Sequence, residues 1–316
     1  MSLGVIFPGQ GSQSIGMLQA LAQDEPLVEQ TFSEASDVLG YDLWDLCQNG
    51  PESRLNETEQ TQPAMLSAGV AVWRIWCAHG GVVPGIVAGH SLGEYSALVA
   101  SGVLEFSSAV RLVQLRGQLM QKAVPAGEGA IAAILGLDDE QVIAVCAEIC
   151  MSASPNHVAA VNFNAPGQVV IAGHKPAVEL ALERLRESGA RRAVTLPMSV
   201  PVHCELMRPA TEQLTQHLQA AQLHPGAFPV LQNADLMAHE TVDAIVAALA
   251  AQLYTPVRWV DSIHKITAQS GSVLVECGPG KVLAGLCRRI DRTITCHPVY
   301  DSQSLETALQ ATRGIA

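Results

Sequence analysis

The sequence predicts an α/β fold: a short, buried parallel sheet with helices around it, and a smaller β-α-β-β-α-β unit inserted into that body. Three observations carry this expectation. Short apolar runs end in glycine-rich turns and pass into helical patterns, as at residues 3–7, 85–88 and 273–277, which is the grammar of a sheet buried on both faces. Residues from about 130 to 197 instead follow the order strand, helix, two strands, helix, strand. Hydrophobic residues make up 48% of the 316-residue chain and charged residues 15%, enough for a sizeable core.

The strand at 3–7 runs into the turn Pro8-Gly9-Gln10-Gly11-Ser12-Gln13. Helical patterns follow, broken at Gly50-Pro51. Thr61 is expected to cap a helix with Pro63 in its first turn, continuing through Met65 to Trp76. A strand at 85–88, a tight turn at Ser91 and a helix through Ala100 come next, and 106–123 reads as an amphipathic helix. In the inserted unit, 131–135 is a strand and Asp138 caps a helix to about Met151. Strands at 158–163 and 168–172 flank the turn Asn164-Ala165-Pro166-Gly167. A helix over 176–188 stops at Gly189, and 191–196 is the last strand. That order is ferredoxin-like. It makes 129–197 an insert between the two parts of the main domain, 1–128 and 198–316. Strands at 230–232 and 273–277 then resume the main body, the second ending in Gly278-Pro279-Gly280.

Charge and composition exclude several function classes. A formal net charge of −12 is the wrong sign for nucleic acid, whose phosphates demand a basic surface. No apolar run approaches the roughly 18 residues that a membrane span needs, and residues 1–10 lack the pattern of a secretory signal. Eight cysteines are scattered without a Cys-x-x-Cys pair, which reads as reduced thiols in a cytoplasmic protein, not as a disulfide framework or a zinc site. No metal site is expected.

The chemistry starts at Gly89-His90-Ser91-Leu92-Gly93. Gly-x-Ser-x-Gly between an apolar strand and a helix places a serine nucleophile on a sharp turn; an ordinary serine N-cap is the alternative. The nucleophile needs a base within hydrogen-bond reach. His90 is adjacent, but consecutive side chains diverge at a tight elbow. His203, in Val200-Pro201-Val202-His203-Cys204, follows the insert's last strand, where the chain returns past the cleft, and is the better candidate. No acid completes a triad: the only aspartates between Ser91 and His203 are Asp138 and Asp139, both at a helix start inside the insert. A neutral carbonyl can fix the imidazole's tautomer instead, giving a dyad.

The helix over 106–123 carries a second signal. At 100° per residue, Arg111 falls with Gln114, Gln118 and Lys122 on the polar side, whereas Arg116 lies within the stripe of Leu112, Val113, Leu119, Met120 and Ala123. A guanidinium there needs an anion or several carbonyl partners. Either it forms a buried salt bridge with a protein carboxylate, or its planar fork receives a substrate carboxylate.

Eight stretches in register carry a resemblance: FPGQGSQ at 7–13, TQPA at 61–64, GHSLGEYSAL at 89–98, RG at 116–117, NFNAPGQVVIAG at 162–173, PVHC at 201–204, QLYTPVRW at 252–259 and CGPGK at 277–281. From residue 3 to near the last residues the chain resembles the malonyl-CoA:acyl carrier protein transacylase family. The resemblance implies a hydrolase-like α/β domain with a ferredoxin-like insert. It implies Ser91 as nucleophile, His203 as general base and acid, and the backbone N–H groups of Gln10 and Leu92 as the oxyanion hole. Arg116 would clamp the malonyl carboxylate, Gln62 and Asn162 would line the pocket, and the Gln252 main-chain carbonyl would orient His203. Val202 would border the acyl pocket.

On the same resemblance, malonyl-CoA and acyl carrier protein are the expected partners, with the coenzyme A thioester as substrate, no bound cofactor and a monomeric chain. Fatty acid synthesis is the expected setting. A polyketide or malonate decarboxylase system would use the same transfer chemistry. A serine hydrolase would leave Arg116 without a role, and a non-catalytic docking subunit would leave Ser91, His203 and Arg116 all without one. An acidic carrier protein approaching a chain at −12 needs a local basic patch. Arg191-Arg192, on the insert, is the first choice, with Arg288-Arg289 and Lys281 the other clusters.

Overall fold

The computed structural model describes residues 2–125, 127–152, 157–197 and 200–315. Nine strands form among the described residues: β1 (Leu3–Phe7), β2 (Pro84–Gly89), β3 (Gly129–Leu135), β4 (Val158–Ala165), β5 (Gln168–His174), β6 (Arg192–Thr195), β7 (Val230–Leu231), β8 (Val273–Cys277) and β9 (Thr295–Val299). They make two sheets. One is five-stranded and wholly parallel, in the order β7-β2-β1-β8-β9. The other is four-stranded and antiparallel, in the order β4-β5-β3-β6.

The period-2 alternation of strands explains how both faces of the parallel sheet are filled. Leu3, Val5 and Phe7 of β1 join the larger core with Met65, Leu66 and Val72 of the helix Thr58–Ala78. Ile6, with Ile86 and Ala88 of β2, faces the other way onto Trp259, Ile263 and Ile266 of the helix Trp259–Ser270. The antiparallel sheet is built the same way. Ala130, Ala132 and Ile134 of β3 pack under the helices Asp139–Ser152 and Lys175–Glu187. Ile131 and Val170 face the main body instead. The antiparallel sheet is also tied to the main body through backbone: Phe163 N–H donates to Val257 O and Val257 N–H donates to Val161 O, both at 2.9 Å, Val257 lying just before the helix Trp259–Ser270.

Three details differ from expectation. Thr61 does not cap its helix. The N-cap is Glu57, and the Thr61 hydroxyl donates backwards to Leu55 O at 2.6 Å, so it relieves a carbonyl instead of an N–H. Pro63 accordingly stands inside the helix rather than in its first turn. Strand β6 begins at Arg192 and ends at Thr195, shorter at both ends than 191–196. Strand β9 was not expected at all: Thr-Cys-His-Pro-Val is half-exposed and carries a proline, the signature of an edge strand.

Candidate active site

The site lies beyond the carboxyl ends of β1 and β2, where open parallel sheets commonly bind ligands. Here the chain leaves β2 and turns within three residues into the helix Gly93–Ala100. The turn is sharp enough to hold Ser91 at φ 51°, a strained value for a residue with a side chain. Glycine is required on both sides: a Cβ on Gly89 would lie 1.8 Å from Gly93 C, and one on Gly93 would lie 2.1 Å from Phe7 O. Asn233 clasps the elbow. Its Oδ1 receives the Ser91 N–H at 2.7 Å and its Nδ2 donates to Gly89 O at 2.8 Å.

Ser91 Oγ stands 2.7 Å from His203 Nε2. The other ring nitrogen, Nδ1, stands 2.8 Å from the Gln252 carbonyl oxygen. A carbonyl only accepts, so Nδ1 carries the proton and Nε2 offers its lone pair to the serine. Gln252 ends the helix Val242–Gln252, and carbonyls of a last helical turn lack intrahelical partners. The negative end of that helix therefore stands where a triad would place a carboxylate. The histidine is 2% exposed, and burial together with the Arg116 charge pushes its pKa down to about 3.

Arg116 enters from the helix Phe106–Ala123, whose bounds match the expectation, and is itself 2% exposed. Its Nη1 donates to Gln62 Oε1 at 2.9 Å; its Nη2 donates to Gln252 Oε1 at 2.9 Å and reaches Ser91 Oγ at 3.4 Å. No protein carboxylate pairs with it among the described residues, and its Nε finds no partner there. Of the two readings of this arginine, the buried salt bridge is absent. Desolvation lowers the guanidinium's pKa, and neutral amides hold this cation beside the Ser91 hydroxyl.

These groups surround a cavity of about 170 Å³ lined by Gln10, Ser91, Leu92, Arg116, Asn162 and His203, with Met120, Ile131, Val170, Leu196 and Val202 as its apolar wall. The Gln10 and Leu92 backbone N–H groups take no partner among the described residues. Asn162 and Val202 thus border the cavity as expected. Gln62 does not line it: fully buried behind Arg116, it donates to Met120 Sδ at 3.5 Å and spends its oxygen on the guanidinium. His90 lines the cavity but faces away from catalysis, with Nε2 against Asn164 Oδ1 at 2.8 Å and its ring on Trp259. Asn233 and the Gln252 side chain escaped the sequence reading, because an asparagine after a two-residue strand and a glutamine ending an alanine-rich helix carry no local signal.

Arg191 and Arg192 are exposed, outside the cavity. Arg192 pairs with Leu135 across β6 and β3, and Leu135 pairs with Gln168 on β5. Gln168 Oε1 receives Arg289 Nη1 at 2.5 Å, so Arg192 and Arg289 stand at the same end of the antiparallel sheet. Among the described residues no cluster of three or more His, Cys, Asp or Glu could hold a metal, and no helix is long and apolar enough to cross a membrane.

An α/β scaffold presenting a serine at an elbow, a histidine on its hydroxyl and a lone buried cation beside both defines an acyl-transferring enzyme, and the acyl transferase domain model matches residues 5–299. The chain belongs to that family and, within it, to the malonyl CoA-acyl carrier protein transacylases. It is 52% identical to the Escherichia coli O157:H7 protein of that name over 305 residues, covering 96% of this chain and 98% of the relative. The Bacillus subtilis protein is 44% identical over 98% of this chain and 96% of its own. A malonyl-transacylase solved with a holo type II PKS acyl-carrier protein superposes with a TM-score of 0.96 at 52% identity, over 98% of this chain and 100% of that one. An acyl carrier protein S-malonyltransferase from Vibrio cholerae gives 0.93 at 51% identity, over 97% and 99%.

Proposed function

We propose that this enzyme moves a malonyl group from coenzyme A to the phosphopantetheine thiol of an acyl carrier protein through an ester on Ser91. The observation that carries this reading is the Arg116 guanidinium, buried without a protein carboxylate and 3.4 Å from the serine oxygen. His203 Nε2 takes the Ser91 proton as Oγ attacks the thioester carbonyl. The Gln10 and Leu92 N–H groups receive the oxyanion, each such donor contributing about 3–4 kcal/mol. Collapse expels coenzyme A, whose sulfur takes the proton back from His203. The carrier-protein thiol then gives His203 a proton, attacks the ester and regenerates Ser91. Through both steps Arg116 holds the free carboxylate of the malonyl group.

The scaffold for this chemistry is a hydrolase-like α/β domain, 1–128 and 198–316, with a ferredoxin-like insert at 129–197. One chain carries every residue of the site, in keeping with a monomer that uses no bound cofactor. Eight free cysteines suit a reducing cytoplasm. Fatty acid synthesis is the setting we favour; the solved relative that carries a type II PKS acyl-carrier protein supports polyketide assembly as the second reading. Mixed with malonyl-CoA and a holo acyl carrier protein, the enzyme should place one malonyl mass on the carrier's phosphopantetheine. Release of malonate to water as the main product would make it a hydrolase instead.

For docking, the exposed pairs Arg191-Arg192 and Arg288-Arg289 offer one basic patch on a protein of net charge −12. Along β6 the patch lies about 13 Å from Leu196 on the cavity wall, at roughly 3.3 Å per strand residue. Reversing Arg191 and Arg192 to Glu should cut kcat/KM for the carrier protein about tenfold or more at low salt, leaving acylation by malonyl-CoA nearly normal. Equal kcat/KM for reversed and parent enzymes at low salt would remove these two from the dock.

His203 should also titrate far from the ordinary histidine value. It must be neutral to act as base, and its pKa falls from 6.5 to about 3. The His203 ring resonances, followed by NMR between about pH 5 and 8, should therefore show no titration. A midpoint near 6.5 would mean that the imidazole titrates as if exposed.

A further inference from the structure

Beneath the cavity lies a buried carboxylate that the steps above leave unused. Glu94, 0% exposed, sits in the first turn of the helix Gly93–Ala100. Its Oε2 accepts from the Asn233 backbone N–H at 2.8 Å and from Gln252 Nε2 at 2.9 Å. Its Oε1 accepts from Gln232 Nε2 at 3.4 Å. All three partners donate, so the anion is the form this setting is built to hold, and no cation pairs with it among the described residues. A buried, unpaired carboxylate is costly.

Each strong partner is itself part of the site. Asn233 clasps the Ser91 elbow from both sides. Gln252 is more constrained still. Its Nε2 donates to Glu94 and, at 3.0 Å, to Ser91 O; its Oε1 receives Arg116 Nη2; its backbone carbonyl receives His203 Nδ1–H. An amide has two faces of opposite hydrogen-bonding sense. Turned over, this one would aim N–H donors at the guanidinium and an acceptor at a carboxylate. Together with the Ser91 carbonyl, the anion below favours the observed face, and so the acceptor that Arg116 Nη2 finds.

We propose that Glu94 is a positioning residue for the acyl-transfer site: by orienting the Gln252 amide and Asn233, it holds Arg116, His203 and Ser91 in a single register. This rests on the roles given above to Ser91 and Arg116. Burial pushes the Glu94 carboxyl up to about 7, a cost to the anion that its donors and the Arg116 charge offset only in part.

The test uses the full-length enzyme and two variants. Glu94→Gln keeps the volume but aims a donor at donors. Glu94→Asp keeps the charge but withdraws it by one methylene. Three rates are measured on folded protein: single-turnover acylation by malonyl-CoA, the same by acetyl-CoA, and inactivation by a neutral alkyl fluorophosphonate. Glu94→Gln should slow the fluorophosphonate about tenfold through Ser91 and His203, and should lower the malonyl-to-acetyl ratio about a further tenfold through Arg116. Glu94→Asp should lower that ratio in smaller measure. A purely structural role predicts a lower melting temperature with both the ratio and the fluorophosphonate rate within twofold of the parent, and that result overturns the proposal. If Glu94→Gln does not fold, an unchanged ratio in Glu94→Asp overturns it alone. Should the parent carry no malonyl ester on Ser91, the functional reading fails separately, because the fluorophosphonate needs only Ser91 and His203.

Discussion

Replacing Ser91 by Ala should leave the enzyme folded, unable to take up a malonyl mass, and slower in transfer by about 10⁵-fold or more. Alanine fits the elbow's space, and the Asn233 clasp uses the Ser91 backbone N–H, which the variant keeps. What is lost is the oxygen 2.7 Å from His203 Nε2. The competing nucleophile is Cys204, next in sequence to the histidine. It is 2% exposed, its Sγ donates to Pro201 O at 3.1 Å, and burial pushes its thiol up to about 12. A thiol so held is almost never the thiolate that attacks. Mass spectrometry of the acylated parent should place malonyl on Ser91, in a bond that resists hydroxylamine at neutral pH as an ester does. Label on Cys204, or label persisting in Ser91→Ala, would reverse the assignment.

Arg116→Ala should separate substrates rather than abolish activity. Malonyl transfer should fall roughly 30- to 5000-fold, the equivalent of about 2–5 kcal/mol for losing a buried charge-assisted pair. Acetyl transfer should change by a few-fold at most or improve, since acetyl brings no carboxylate to strand. The variant also leaves Gln62 Oε1 and Gln252 Oε1 without their donor, each such buried acceptor costing about 1–3 kcal/mol of stability. Melting curves must therefore accompany the kinetics. Equal loss for both acyl groups in folded protein would mean that Arg116 serves the scaffold and not the substrate.

The parts legible in the sequence were those fixed by local pattern. Apolar runs gave the central strands β1, β2 and β8, and Ser91 announced itself by the glycines its strained turn demands. Arg116 was legible because helical periodicity puts a charge where only apolar residues belong. His203 was a weaker inference, resting on where the chain had to return. What stayed hidden is long-range and neutral. Asn233 lies 142 residues from Ser91 and Gln252 lies 158 from Glu94, and nothing in an amide's own neighbourhood tells which distant group it will meet. Gln62 was misplaced for a related reason: resemblance put it near the substrate, and only packing could put it behind the arginine. Glu94 carries no signal of its own, since an acid in the first turn of a helix is ordinary.

The backbone link between the antiparallel sheet and the 252–259 segment sets a limit on how this pocket can be remodelled. Val257 is hydrogen-bonded on both sides to the strand that carries Asn162, and it lies five residues beyond the carbonyl that steadies His203. One wall of the cavity is thus bonded to the short segment that runs on from the support of the base. Swinging the smaller sheet outward to admit a bulkier acyl group would drag that support with it and blunt the base. Any widening that preserves turnover has to come from trimming side chains in place, at Met120, Ile131, Val170, Leu196 or Val202. Selection for new acyl donors should accordingly collect substitutions at those five positions and leave the 252–259 segment alone.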